Sequence, residues 1–137
     1  KGNDLENVLQ EKIQRTPQGI SVLTAKLPVG DIKILRETVD HWKNKLGASA
    51  VIVLGGVNDQ NKVCLVAGIT RDCQTQFKAN ELVNMVAARV GGKGGGRPDM
   101  AEAGGSQPEH LEQALGLVYE WVMQSESHKT KINPPAA

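Results

Sequence analysis

Aromatic side chains are nearly missing from this chain: Trp42, Phe77, Tyr119 and Trp121 are all it has in 137 residues. So few rings cannot build a broad base-stacking platform. Cysteine is as scarce. Cys64 and Cys73 have eight residues between them and no histidine beside them, which fits neither a zinc spacing nor a disulfide framework. They read as reduced thiols, structural or incidental, of a cytosolic protein. His41, His110 and His128 are scattered, and none is followed by a second candidate ligand at i+3 or i+4, so they read as bystanders. No apolar run approaches the ~20 residues of a membrane helix. Charges interrupt the N-terminal stretch throughout, so no signal-peptide pattern is present. The net charge of only +1 excludes a polybasic tail but not a local basic patch.

What is present is the composition of one globular domain, 39% hydrophobic and 23% charged. The chain opens on Lys1 and is helical at once, which suggests a piece of a longer polypeptide. Leu5, Val8, Leu9 and Ile13 share one helical face, and Pro17 and Gly19 stop that helix. Gly19–Ala25 reads as a strand. Asp31 then caps a helix with the stripe Ile32, Leu35, Val39, Trp42 and Leu46, closed by Gly47. This stripe places Trp42 in the core.

Ala50–Leu54 is a continuous apolar run, the mark of a strand buried on both faces. Asn58–Asn61 turns it into a second strand, Lys62–Ile69, forming an antiparallel hairpin. Residues 70–76 are a polar loop, and a helix follows from Lys78 to Val90. Ser106-Gln107-Pro108-Glu109 has capping-box spacing ahead of a last helix carrying Leu111, Ala114, Leu115, Val118, Tyr119 and Val122. Trp121 falls off that stripe and is expected to be partly exposed.

The alternation predicts an α/β fold: a two-layer domain with a small mixed sheet and packing helices, preceded by an N-terminal helix. The strands flanking the Asp31–Gly47 helix should be parallel, with a right-handed crossover. Three parts are expected: helix 1–16, the end of an upstream helical region; globular domain 17–124; and a polar, frayed tail 125–137.

Between the last two helices, Gly91–Gly105 holds seven of the fifteen glycines. It lacks the Gly-x-x-x-x-Gly-Lys-Ser/Thr of a P-loop. It also lacks the Gly-x-Gly-x-x-Gly that follows a strand in a dinucleotide fold. Two readings stay open. The glycines permit tight packing and a sharp reversal, or their amides converge on an anion beside Lys93 and Arg97. Charge is segregated around them. Residues 62–97 carry six basic and two acidic side chains, a net of +4, and residues 98–137 carry two basic and six acidic, a net of −4.

Lys78-Ala79-Asn80-Glu81-Leu82, followed by Val90 to Gly105 with its Gly94-Gly95-Gly96-Arg97-Pro98-Asp99-Met100-Ala101 core, closely resembles the C-terminal domain of bacterial alanyl-tRNA synthetases. That domain belongs to the DHH-associated family. The resemblance covers about residues 19–124. The family's helix start falls on Lys78–Leu82, with Asn80 where glycine is common, and its glycine motif on Gly91–Gly96, Arg97, Asp99 and Met100. The resemblance implies a module that binds tRNA-Ala at the outer corner of the L and helps couple aminoacylation with editing, without catalysis of its own. It implies no cofactor in this piece, with ATP, magnesium and zinc confined to the parent's other domains. It also implies upstream domains as partners, a possible homodimer through the N-terminal helix, no membrane, and a cytoplasmic setting.

The candidate RNA contacts are Lys78, Lys93 and Arg97 for charge and the amides of Gly94, Gly95 and Gly96 for close approach. Met100 is expected in the core. The alternatives are the nucleic-acid-binding half of a DHH-type phosphoesterase, which resembles this chain but carries histidine after its glycines where Arg97-Pro98 stands here, and a pure dimerisation module.

Overall fold

The computed structural model describes the backbone of residues 2–132 and the side chains of residues 4–125. Its elements are α1 (Gly2–Glu11), β1 (Gln14–Arg15), β2 (Ser21–Lys26), α2 (Ile32–Leu46), β3 (Ala50–Val57), β4 (Val63–Ile69), α3 (Ala79–Ala88), β5 (Lys93–Gly96), β6 (Met100–Gly105), α4 (Leu111–Leu115) and α5 (Val118–Ile132). Short 3-10 turns occupy Arg71–Cys73 and Pro108–His110. The sheet runs β1-β2-β3-β4-β6-β5. Only β2 and β3 pair in parallel, as the helical crossover requires, and β3–β4 is the expected antiparallel hairpin.

The α/β class, the mixed sheet and the N-terminal helix stand as expected, but the layers number three. β3 alternates strictly. Val51 and Val53 face a core completed by α3, α4 and α5, while Ile52 and Leu54 face a second core completed by α1 and α2. All four are fully buried. Burying one such aliphatic side chain contributes roughly 1.5–3 kcal/mol, so the middle of the sheet is held from both sides. Trp42, 1% exposed, is the largest side chain of the α2 layer, with Lys45 Nζ 4.8 Å from its ring centre. Trp121 is half-buried against Phe77 on the opposite face.

α2 is the clearest match to its sequence signals. The Asp31 carboxylate accepts from the amides of Lys33 and Ile34, and Gly47, at φ 79°, returns its amide to Lys43. α1 stops earlier than its apolar spacing suggests, at Glu11, and the chain then pairs Gln14–Arg15 with β2.

Three expectations change. Ser106 is no cap: its hydroxyl donates to the Gly91 carbonyl, and the following turn starts at Gln107 without a side-chain cap bond. The last helix is two helices, broken at Gly116-Leu117. Where a frayed tail was expected from 125, α5 continues to Ile132, and residues 133–137 lie outside the described residues. Among the described residues no helix is long and apolar enough to cross a membrane.

Candidate nucleic-acid interface

The glycine-rich segment is a β-hairpin at the edge of the sheet. Its pairing is backbone to backbone, with β6 also laddered to β4. Composition hides these strands, because β5 reads Lys-Gly-Gly-Gly and carries a single side chain beyond hydrogen. A strand of glycine has low intrinsic preference, so its order comes from neighbours.

α3 supplies them. The Gly92 amide donates to the Ala87 carbonyl at 2.9 Å, and the Gly94 amide donates to Asn84 Oδ1 at 2.9 Å, which covers part of the sheet's free edge. On the α3-side face, β5 has no room for side chains of its own. A Cβ on Gly94 would lie 2.1 Å from the Glu102 carbonyl oxygen, and one on Gly96 2.8 Å from Ala101 Cα.

The opposite face is different. A Cβ on Gly95 would meet nothing within 4 Å. Lys93, Gly95 and Arg97 alternate onto this face, where α2 lies, with Glu102 paired across from Gly95. Lys93, at the start of β5, and Arg97, in the turn just after it, are thus two cations with the open Gly95 between them. Glu102 is held by Arg36 at 2.5 Å. Arg97 pairs with Asp99, and its side chain remains 75% exposed. Beside the hairpin tip, a cleft of about 300 Å³ is lined by Arg36, Glu37, Asp40, Lys43, Arg97, Asp99 and Met100. Its three basic members, Arg36, Lys43 and Arg97, are matched by three acidic ones, Glu37, Asp40 and Asp99.

The candidate residues are therefore only partly brought together. Lys93, Gly95 and Arg97 share a face. Lys78 stands at the start of α3 in the other layer, its ammonium donating to the Gln74 carbonyl. The amide of Ala79 beside it donates to the Pro98 carbonyl, which ties α3 to the hairpin tip. Of the three glycine amides, Gly94's is already used by Asn84. Arg97 N donates to Met100 O, so by the alternation of an antiparallel ladder Gly95's amide points inward to β6 and Gly96's outward. Met100 is half-buried against the α2 core. Asn84, which fixes the edge, and Lys43, whose ammonium donates to the Asp99 carbonyl, were not legible as site residues: neither lies near the glycines in sequence.

Burial pushes both thiols up in pKa, and the cysteines lie in different cores. Among the described residues no group of three or more His, Cys, Asp or Glu is placed to hold a metal ion.

The DHHA1 domain model matches residues 19–124. Curated relatives include the alanine–tRNA ligases of Ralstonia nicotianae, 59% identical over 106 residues, and of Dechloromonas aromatica, 56% identical over 105. Each alignment covers 77% of this chain and 12% of the relative, so the chain spans about an eighth of their length. The fold is similar to the C-Ala domain of Aquifex aeolicus alanyl-tRNA synthetase, with TM-score 0.72 and 22% identity over 80% of this chain and 96% of that one. It is also similar, with TM-score 0.55 and 17% identity, to a DHH-domain member of the s1p family of ribosomal proteins, over 88% of this chain and 30% of that one.

Proposed function

The chain belongs to the DHHA1 domain family, and from that membership we propose that it is the tRNA-binding C-terminal domain of an alanine–tRNA ligase. In this reading it docks the outer corner of tRNA-Ala, helps couple aminoacylation with editing, and performs no chemistry itself. ATP, magnesium and zinc then belong to other parts of the parent protein, which works in the cytoplasm. The observation that carries the reading is the open face of β5, where Lys93 and Arg97 flank the uncovered Gly95. A flat glycine floor lets a sugar–phosphate chain lie against the backbone, and two cations contact phosphates without reading sequence. With four aromatics, none in the hairpin, base stacking has little part.

Titration of the chain with tRNA-Ala and a non-cognate tRNA across a salt series tests this. Similar, salt-sensitive binding of both supports readout of shape and backbone. Binding of neither refutes it.

A second reading, self-association through α1, is favoured by the exposure of Leu5 at 37% and Val8 at 46% on that helix. Sedimentation with and without residues 1–16 tests it. A change from dimer to monomer supports it, and identical profiles remove it.

A further inference from the structure

We propose that Asp99 is a positioning residue, which holds the Arg97 guanidinium so that its outer edge is aimed at a phosphodiester of the bound RNA; the inference rests on the RNA-binding reading above. Arg97 Nε lies 3.2 Å from Asp99 Oδ1, and Nη2 donates to Oδ2 at 3.4 Å. The carboxylate therefore occupies the Nε–Nη2 edge. A guanidinium presents five N–H groups in a fixed fork. The Nη1–Nη2 edge stays unused by Asp99, and it is an edge that can take two phosphate oxygens at once.

The carboxylate is itself mounted on a fixed turn. Asp99's carbonyl accepts from the Ile69 amide and from Lys43 Nζ, each at 3.1 Å, and the Pro98 carbonyl accepts from the Ala79 amide at 2.8 Å. Donors from β4, α2 and α3 thus converge on two consecutive main-chain oxygens. The Lys43 stem is held in turn against Gly68, where a Cβ would come within 3.0 Å of Lys43 Cδ. An exposed arginine ordinarily loses much side-chain freedom on binding, and prior alignment reduces that loss.

A bare surface ion pair would behave in the opposite way. An exposed pair adds little to folding, and a carboxylate beside an anion site repels the anion. Removing the charge would then tighten binding, whereas removing a positioning group weakens it. All three pins act on main-chain atoms, so Asp99→Asn leaves them intact.

The experiment measures the Kd of a tRNA-Ala transcript for the chain and for Asp99→Asn, Asp99→Glu, Arg97→Met and the Asp99→Asn/Arg97→Met pair. Thermal melting of each variant serves as the folding control. Asp99→Asn is expected to weaken binding about fivefold through lost preorganisation. Asp99→Glu, which keeps the charge but moves the fork by one methylene, is expected to weaken it in the same direction. The double variant is expected to bind no more weakly than Arg97→Met alone. Asp99→Asn binding as tightly as the parent or tighter overturns the inference. So does an equal loss in the Arg97→Met background, and so does an Asp99→Glu variant that matches the parent. If the parent binds and Asp99→Asn is silent, only this inference falls. If the parent binds no tRNA, the RNA reading falls and takes it along.

Discussion

β3 is an apolar strand whose side chains fill a helical core on each face, whereas β5 has one side chain in four residues and is held by its backbone and by α3. Both belong to one sheet. Side-chain burial makes the centre strong, but it leaves no surface there for a partner. Backbone apposition makes the hairpin thin. Its inner face is shut tight, and its outer face is left open at Gly95, between Lys93 and the Arg97–Asp99 pair of the turn, with Glu102 across on β6.

The comparison breaks first at the inner face of the hairpin. Gly94→Val puts a branched side chain where even a Cβ lies 2.1 Å from main chain. It is expected to cost more than about 4 kcal/mol, at the exceptional end for single substitutions. Gly95→Ala, one residue away and facing open space, is expected to change stability by less than about 1 kcal/mol. Urea unfolding of the two variants measures the contrast, and equal losses would contradict it. In the centre, Ile52→Ala is expected to cost about 2–5 kcal/mol by cavity formation, read from the same melts. Smaller again, Asn84→Ala removes the acceptor for the Gly94 amide, at an expected ~1 kcal/mol. Hydrogen exchange should show the loss at Gly94 and not in β3.

The same contrast explains what was legible in the sequence. Ala50–Leu54 and the α2 stripe announce themselves, because side-chain pattern is the force that builds them. The Asp31 cap and Gly47 turn are local, so their spacing suffices. The β5–β6 strands leave no such trace: their cohesion lies in amides and carbonyls, which every residue carries, and in the Asn84 contact made ten positions away. The glycine run marked the place without showing that its alternate members serve different ends, Gly94 and Gly96 for packing and Gly95 for exposure. Ser106 had the spacing of a cap, yet the fold ties this stretch back to the end of α3: the amides of Ser106 and Gln107 both donate to the Val90 carbonyl, and the Ser106 hydroxyl donates to the Gly91 carbonyl.

The smallest expected effect concerns the docking of α1. Lys45 and then His41 hydrogen-bond the Glu6 carboxylate and hold its pKa below the ordinary glutamate value. A pKa lower in the folded than in the unfolded state gives stability that is complete near neutrality and is lost as pH falls through the folded value. On acidification, α1 amides should lose hydrogen-exchange protection before those of β3. Glu6→Gln should remove that pH dependence.

The central claim is that the open face of the hairpin binds RNA phosphates through Lys93 and Arg97. Its most direct test is the slope of log Kd for tRNA-Ala against log salt concentration, for the parent chain and for the Lys93→Ala/Arg97→Ala pair. Each phosphate contact contributes a little under one unit of slope, so loss of both cations should flatten it by about two units or slightly less. An unchanged slope in the double variant would contradict the account.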